Sequence, residues 1–236
     1  MVATPVLETG ASCVGVRVPS SALMKQIIPL YTWYGDTQTW DRRISTINKG
    51  DLVILDPNNG PPPSNQIATI KSYVNRIRER GGFVFGYVHT SYGARPFHEI
   101  MEDITKWARI SVDRIFFDEW YYTEAEYQYV VWLMTGAIQQ NLQATNGLIA
   151  AGPVAIFNPG VPVKYNSVPA RAVIVTYESI RSEFPTRKWK SWEAAICYSG
   201  SEPVVGPEYS YVTDDTLPNP FDGIQWADAL TEWGQI

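Results

Sequence analysis

The sequence has little cysteine, little charge and no long apolar run, and each shortage excludes a class of protein. Its 236 residues include two cysteines, Cys13 and Cys197, so no disulfide framework holds the fold, and whether these two pair stays open. Charged residues make up 18% of the chain, which excludes a disordered chain or a coiled coil. No apolar run approaches the ~18 residues of a membrane span. We therefore expect a globular protein that does not insert into a membrane.

Clustered positive charge is also lacking. The chain has 19 Lys and Arg against 24 Asp and Glu, for a formal net charge of -5, and its basic residues are scattered. Nucleic-acid binders depend on a basic patch, so we expect no nucleic-acid partner. The stretch from Met1 to Ser20 lacks the charged start and apolar core of a secretion signal. The sequence fits both an intracellular protein and a trimmed secreted chain, so the compartment stays open.

Several catalytic signatures are absent as well. The chain contains no Gly-x-Ser-x-Gly elbow, no His-Glu-x-x-His, no Cys-x-x-Cys and no phosphate-binding glycine loop. These absences argue against a serine esterase, a zinc enzyme and a nucleotide-binding protein, and we expect no cofactor. Aromatic residues, in contrast, reach 13% with 9 Trp and 14 Tyr. Such a surplus suits stacking on sugars or nucleobases, although a packed core also consumes aromatics.

Short apolar runs recur along the chain, with helical patterns between several of them. Eight such runs are candidate strands: Ile27–Tyr31, Leu52–Leu55, Phe83–Val88, Ile115–Phe117, Val154–Phe157, Ala172–Thr176, Ala194–Cys197 and Tyr209–Val212. Strands that alternate with helices predict a parallel α/β fold. We expect one domain over residues 1–236, a (β/α)8 TIM-like barrel with an N-terminal extension over 1–25. The alternative is a doubly wound open sheet.

Three helices are predicted from their capping residues. Ser64 can cap the start of a helix that has one apolar face and that ends at Gly81 and Gly82. Pro96 suits the first position of a second helix, and Thr123 with Glu126 forms a capping box for a third. The C-terminal half is less regular, because little room for a helix remains between the last three runs. We expect one or two outer helices there to be shortened or missing.

Polar and aromatic residues follow nearly every run. In a parallel barrel the carboxyl ends of the strands meet at one mouth, where ligands bind. The candidate site residues at that mouth are Tyr31, Trp33, Asp56, Asn58, Tyr87, His89, Tyr92, Asp118, Glu119, Trp120, Asn158, Glu178, Tyr198, Asp214 and Asp215. The residues that precede the runs, in contrast, are ordinary surface residues.

The strongest feature is the adjacent pair Asp118 and Glu119, directly after a run that looks buried on both faces. Acids placed there cost desolvation free energy and add nothing to packing. One interpretation is that the pair only caps the next helix. The preferred interpretation is that the pair takes part in a chemical reaction. Converging carboxylates with aromatics suit glycosidic bond cleavage, where one acid is protonated and another ionised.

A rival interpretation of the same acids is a Ca²⁺ or Mg²⁺ site, although the sequence contains no metal-binding loop with characteristic ligand spacing. The residues of that rival site are Asp56, Asp118, Glu119, Glu178, Asp214 and Asp215. For His89, an acid-base role and a structural role both stay open.

A series of motifs resembles the spherulin-4-like proteins. These motifs are Ile28–Tyr31, Asp56–Pro61, Gly86–Gly93, Ile115–Glu119, Asn158–Gly160, Tyr177–Glu178, Tyr211–Asp215 and Asn219–Asp222, in the order of the family. The resemblance implies a (β/α)8 barrel and an endo-acting glycoside hydrolase. Relatives of this kind cleave α-1,4-linked N-acetylgalactosamine or galactosamine in fungal galactosaminogalactan and in related bacterial biofilm polymers.

The resemblance also implies roles for the acids. Asp118 would be the nucleophile or the stabilising carboxylate, and Glu178 or Glu119 would be the acid. Asp56 stands where the family usually has Asn, and its negative charge would suit a partly deacetylated, cationic polymer. The remaining candidates would bind the polysaccharide substrate, and we expect a monomer without a catalytic metal. Two other hypotheses stay open: a non-catalytic carbohydrate-binding or spore or cell-surface coat protein, and a metal-dependent hydrolase.

Overall fold

The computed structural model is a closed barrel of eight parallel strands, and it describes residues 25–121, 135–137, 152–164, 168 and 170–217. Each strand is hydrogen-bonded to the next one along the chain, and the first pairs with the last through Lys25 with Tyr209 and Gln26 with Ser210. The predicted (β/α)8 barrel is confirmed. The open sheet was the wrong alternative, because the first and last strands close the ring.

All eight predicted runs are strands. They are β1 (Lys25–Leu30), β2 (Leu52–Leu55), β3 (Phe83–His89), β4 (Arg114–Asp118), β5 (Ala155–Phe157), β6 (Ala172–Ile180), β7 (Glu193–Tyr198) and β8 (Tyr209–Val212). Helices α1 (Thr37–Thr46), α2 (Ile67–Glu79) and α3 (Phe97–Ile110) connect the first four strands. Short 3₁₀ turns occur at Ser64–Gln66, Ser91–Gly93 and Arg181–Glu183.

Alternation along the strands divides the apolar side chains into two layers. Phe85 and Phe116 belong to a buried cluster inside the barrel, whereas Val84, Val88 and Phe117 pack outward against the helices. Successive side chains of a strand point to opposite faces, so each strand supplies both layers. This double burial explains why the strands read as continuous apolar runs instead of alternating ones.

The helices differ from the predictions in detail. Helix α1 was not predicted, because it is mostly polar and buries little more than Trp40, Arg43 and Ile44. Helix α2 begins after the 3₁₀ turn that contains Ser64, and its N-cap residue is Gln66 instead of the predicted Ser64. The prediction that Pro96 occupies the first helical position was wrong by one residue, because its ψ of 134° makes it the N-cap of α3.

The helix predicted from Thr123 lies outside the described residues except for 135–137, which are helical. None of the helices in the described ranges is long and apolar enough to cross a membrane.

The C-terminal half lacks outer helices where the sequence predicts their loss. Between β6 and β7 there is one 3₁₀ turn, and the described segment between β7 and β8 contains no helix. Stacked rings of Phe184 and Trp189, 5.2 Å apart, cover this side of the barrel together with Val204. Cys197 is buried in the same cluster, and Cys13 lies outside the described residues.

Helix α3 packs directly onto β3 at Gly86. The Trp107 indole is fully buried there, and its Nε1 donates to the Tyr87 carbonyl at 2.8 Å. A Cβ at Gly86 would lie 2.4 Å from the ring atom Cδ2. The missing side chain is therefore what lets helix and strand approach.

We predict that Gly86→Ala destabilises the barrel by about 1–3 kcal/mol, because a rigid buried indole has nowhere to move. Urea denaturation measures the effect. Gly136→Ala is the matched control: its added methyl meets the flexible end of Met101, at 2.8 Å from Cε, and helical Ala is favoured over Gly. Equal stability of the Gly86 variant and the wild type would contradict this account of the packing.

Candidate active site

Strand alternation brings the acids and their partners into one mouth. Asp118 and Asn158 each lie two residues beyond an interior side chain, Phe116 and Ile156 respectively. The period of two therefore points both toward the barrel axis at the carboxyl ends of β4 and β5. Asp56 stands in the same relation to Ile54 of β2. The sequence prediction that these positions share one mouth agrees with this register.

Glu178 reaches the mouth by a different route. It lies within β6, two residues before the end of the strand, and not after it as predicted. Val173 and Val175 face the interior, so strict alternation would turn Glu178 outward. A register shift between Val175 and Tyr177 inserts one extra residue, and Glu178 then pairs with the interior Ile196. No pattern in the sequence signals this bulge.

One amide joins the two half-buried acids, Asp118 and Glu178. The Asn158 Nδ2 donates to Asp118 Oδ1 at 2.9 Å and to Glu178 Oε2 at 2.8 Å. Both carboxylate oxygens contact the same nitrogen, so they are less than about 6 Å apart. The Asn158 side-chain oxygen accepts from the Gly160 N–H at 3.2 Å. Asn158 thus holds the acids, whereas the sequence predicted that it would bind substrate.

Tyr87 completes the support of Asp118. Its phenol donates to Asp118 Oδ2 at 2.7 Å, so both oxygens of this carboxylate accept a hydrogen bond. The Tyr31 ring meets the Tyr87 ring edge-on, with centroids 5.6 Å apart. Tyr31 and Tyr87 therefore wall the same side of the mouth, as predicted from their positions after β1 and within β3.

Burial raises the pKa of both acids, and a neighbouring negative charge adds to each rise. Burial and the charge of Asp118 raise the pKa of Glu178 to about 7, against the hydrogen bond from Asn158. Burial also raises the pKa of Asp118, and the bonds from Tyr87 and Asn158 oppose that rise. Asp118 accepts two side-chain hydrogen bonds that favour its charged form and Glu178 accepts one, so Asp118 ionises first. The pair therefore offers one ionised and one protonated carboxyl near neutral pH.

Asp56 is a third acid in the mouth. Burial, with a contribution from Asp118, raises the pKa of Asp56 to about 6, although its Oδ1 accepts from the Gly60 N–H at 2.6 Å. Its charge also raises the pKa of the Tyr31 and Tyr87 phenols, after burial. The mouth therefore carries several negative charges when the acids are ionised.

The chain turns sharply at Glu119. Its φ of 51° is in the left-handed region, and its carbonyl accepts from Thr90 Oγ1 at 2.8 Å and from the Tyr92 N–H at 2.7 Å. This turn keeps Glu119 partly exposed beside Asp118, whose pKa its negative charge helps to raise. Thr90 is a supporting residue that sequence reasoning missed, since a buried hydroxyl carries no sequence signal.

Tyr92 is presented to solvent by a strained turn. Ser91, Tyr92 and Gly93 all have positive φ values, of 50°, 51° and 83°. Tyr92 is 43% exposed, and a Cβ at Gly160 would lie 3.7 Å from its hydroxyl and 4.0 Å from Glu178 Oε2. The phenol is thus close to the acid pair, as its predicted role requires. Such strain is often found where a functional residue must be aimed.

Trp120 does not lie where the substrate-binding prediction placed it. It is 2% exposed, and its indole packs on Phe117, Tyr121 and Phe157 in the layer outside the barrel. The left-handed turn at Glu119 directs it away from the mouth. Its backbone N–H donates to the Asn158 carbonyl at 2.8 Å, so Trp120 supports the site from behind.

The other candidates lie at the same end of the barrel without a described contact to the acids. Trp33 is 63% exposed in the loop after β1, and Asn58 is exposed after β2. His89 faces Asp118 across the β3–β4 register and is half-buried. The remaining positions are the ends of the last strands: Tyr198 is half-buried, Asp214 is exposed, and the Asp215 carbonyl accepts from the Ser199 N–H at 2.7 Å.

A metal site and a second cavity are the two alternatives to the mouth. Within the described residues, no group of three or more His, Cys, Asp or Glu side chains is gathered so that it could hold a metal ion. A cavity of about 460 Å³ opens at the opposite end of the barrel, lined in part by Arg171, Trp192 and Tyr209. Its acid, Glu208, is paired with Lys25 at 2.6 Å. The chemistry therefore points to the mouth and not to this cavity.

The comparisons with known proteins agree with this fold. Residues 25–216 match the model of the Spherulation-specific family 4, and the chain belongs to that family. It is 25% identical over 215 residues to Spherulin-4 from Physarum polycephalum, across 89% of this chain and 61% of the relative. The chain thus spans about three fifths of the length of that curated relative.

A solved structure has the same architecture. The crystal structure of Sph3 from Aspergillus clavatus, in complex with GalNAc, superposes with a TM-score of 0.58. The match covers 88% of this chain and 96% of that chain at 18% sequence identity, and it shows a shared fold.

We predict that Glu178→Gln stabilises the protein at alkaline pH. Its folded-state pKa of about 7 lies above the usual 4.5, so the folded state binds the proton more tightly than the unfolded one. Wild-type stability therefore falls as the pH rises from about 4.5 to 7, and the neutral variant should gain up to about 3 kcal/mol above that window. Urea denaturation at several pH values measures the difference.

Glu193→Gln is the control with the opposite sign. Burial would raise the pKa of Glu193, but bonds from Arg187 and the Lys190 N–H outweigh it and lower the pKa. Its contribution is present above the usual 4.5 and is lost as the pH falls through the folded-state pKa, so this variant should be less stable at neutral pH. A Glu178 variant that is less stable than the wild type at about pH 8 would contradict the assignment.

Proposed function

We propose that this protein is an endo-acting glycoside hydrolase that cleaves α-1,4-linked N-acetylgalactosamine or galactosamine polysaccharide. The observation that carries the proposal is the pair of half-buried carboxyls, Asp118 and Glu178, bridged by one amide at the mouth of the barrel. Binding alone does not require two acids held at this cost in desolvation. Membership of the Spherulation-specific family 4 and the fold shared with Sph3, which was solved with GalNAc, support the choice of sugar.

The different support of the two acids assigns their roles. Glu178 keeps its proton near neutral pH, so it can donate to the glycosidic oxygen as the bond to the leaving sugar breaks. Asp118 is ionised first, and its carboxylate can attack the anomeric carbon or stabilise the positive charge that develops there. In the second step Glu178, now ionised, would take a proton from a water whose oxygen attacks the anomeric carbon, and the bond from that carbon to the Asp118 carboxylate would break. Glu119, at the edge of the mouth, would assist through its charge.

The separation of the acids favours retention of anomeric configuration. Oxygens less than about 6 Å apart leave no room for a water between the carboxylate and the sugar, whereas inverting enzymes need ~6.5–9.5 Å. The geometry set by Asn158 suits direct attack by Asp118 and a covalent glycosyl intermediate.

Exposed aromatic residues around the mouth suit a polymer. Trp33 is 63% exposed, and its backbone is held by a carbonyl that accepts from Trp40 Nε1 at 3.3 Å and from the Asp36 N–H at 2.9 Å. A Cβ at Gly35 would lie 2.3 Å from the ring, so the indole rests on this glycine. A fixed indole and the Tyr92 phenol can stack on sugar rings on either side of the cleaved bond.

The acids of the mouth favour a substrate that carries positive charge. Asp56 adds a carboxylate close to Asp118, and deacetylated galactosamine carries an ammonium group. We therefore propose a partly deacetylated polymer as the preferred substrate, bound more weakly as ionic strength rises.

We predict that the wild type releases reducing ends from α-1,4-linked galactosamine polysaccharide, with or without chelator. Asp118→Asn and Glu178→Gln should each lower kcat by about 10³-fold or more, because each removes a reacting group. Glu102→Gln, on the outer face of α3, is the matched control and should leave kcat unchanged. A wild type that binds the polymer but releases nothing would point to a carbohydrate-binding protein instead. Loss of activity with chelator would favour the metal-dependent alternative.

A second prediction concerns the first product. Proton NMR during early hydrolysis should detect the α-anomer of the new reducing end before mutarotation equilibrates it, because two inversions restore the configuration. The mutarotation rate of the free sugar in the same buffer is the control. Appearance of the β-anomer first would exclude the nucleophilic role of Asp118.

A further inference from the structure

The bulge in β6 is the feature that decides where Glu178 points. Val175 pairs with Ala194 and Tyr177 pairs with Ala195, so Thr176 has no partner residue in β7. If Thr176 were paired in register and no bulge were present, alternation from Val175 would place Glu178 on the outer face. Bulges commonly occur beside active sites, where they redirect a side chain.

A polar cluster on the outer face of the barrel holds the extra residue. The Thr176 side chain is buried, and its Oγ1 donates to Glu193 Oε1 at 3.1 Å and accepts from Arg187 Nη2 at 3.0 Å. Arg187 Nη1 also donates to Glu193 Oε2 at 2.9 Å. The Thr176 hydroxyl is therefore fixed by an ion pair whose two members both contact it.

The cluster is anchored to the segment between β6 and β7. Glu193 Oε2 accepts from the Lys190 N–H at 2.7 Å, and the Arg187 guanidinium lies 3.7 Å from the centre of the Trp189 ring. This segment covers the barrel with aromatic rings in place of an outer helix. The buried Glu193 carboxylate is thus held by Arg187 and by the Lys190 N–H.

The bulge also contacts the loop that carries Asn158. The Thr176 carbonyl, left without a ladder partner, accepts from the Val163 N–H at 3.1 Å. Val163 follows Asn158 by five positions in the loop after β5. Thr176 thus connects the two groups, Asn158 and Glu178, whose hydrogen bond organises the acid pair.

We propose that Arg187 and Glu193 are positioning residues for Glu178: by holding the bulge at Thr176, they keep the acid in the mouth and within reach of Asn158. The proposal rests on the proposed function, since it names the groups that orient the acid of that reaction. Neither residue lies in the mouth itself. Their effect on catalysis would pass through the backbone of β6.

The test compares two variants that each remove the arginine of an ion pair outside the mouth. Arg187→Met breaks the contacts to Thr176 and Glu193, whereas Arg78→Met breaks an ion pair to Asp113 with an Nη2–Oδ1 distance of 2.8 Å. The two arginine side chains are 33% and 31% exposed, so the variants are matched. We expect Arg187→Met to lower kcat by about 10–100-fold with KM nearly unchanged, as for a misplaced acid. Arg78→Met should lower Tm but not kcat.

Arg187→Lys provides a rescue test. A lysine ammonium can pair with Glu193 but cannot present the planar fork that also reaches Thr176. Part of the lost kcat should therefore return. The proposal would be overturned if kcat fell in both the Arg187 and the Arg78 variant in proportion to the fall in Tm. That result would show a general structural effect.

A readout that does not depend on activity separates this proposal from the proposed function. Carboxyl ¹³C NMR, with Glu178→Gln to assign the signal, should show Glu178 titrating near pH 7 in the wild type. In Arg187→Met its pKa should move toward the usual 4.5, because Glu178 leaves the buried mouth where Asp118 and Tyr31 face it. In Arg78→Met it should not move. An unchanged titration in Arg187→Met would overturn the positioning role, whereas an inactive wild type with this shift would overturn only the proposed function.

Discussion

Closure of the parallel sheet is the constraint on which the other features depend. In a closed barrel every strand has one face toward the axis, so each residue is assigned to the interior or to the helix layer by its parity along the strand. Asp118 and Asn158 enter the mouth because they continue the interior rows of Phe116 and Ile156. A shift of one residue exchanges the two faces completely, and for this reason a single bulge is enough to place Glu178.

The acid pair shows how the fold accepts an unfavourable arrangement. Two carboxyls lie close together in a buried mouth, where desolvation and repulsion both act against their ionisation. Hydrogen bonds from Tyr87 and Asn158 offset part of this cost, and they do so unequally, which separates the roles of the two groups. The packing of the apolar layers offsets the remaining unfavourable free energy of the acid pair, as is common for catalytic sites.

The irregular half of the barrel is built for a different purpose than the regular half. Helices α2 and α3 bury apolar stripes against β3 and its neighbours, and the close contact at Gly86 is typical of that packing. Between β6 and β7, an ion pair and stacked rings of Phe184 and Trp189 replace the helix. An outer helix would present apolar side chains to β6, and these could not satisfy the hydroxyl of the bulged Thr176.

The sequence by itself determined the strands, the α/β class, the family and the end of the sheet at which the acids lie, because buried strands appear as apolar runs and the residues after them share one edge. It was less informative about helix starts, since α1 is nearly all polar and Pro96 serves as a cap. Only the tertiary structure decided which candidates meet. The turn at Glu119 takes Trp120 into the core, Asn158 is committed to two carboxylates, and the bulge at Thr176 turns Glu178 inward. These outcomes rest on register and on contacts between residues far apart in the chain, which local periodicity does not encode.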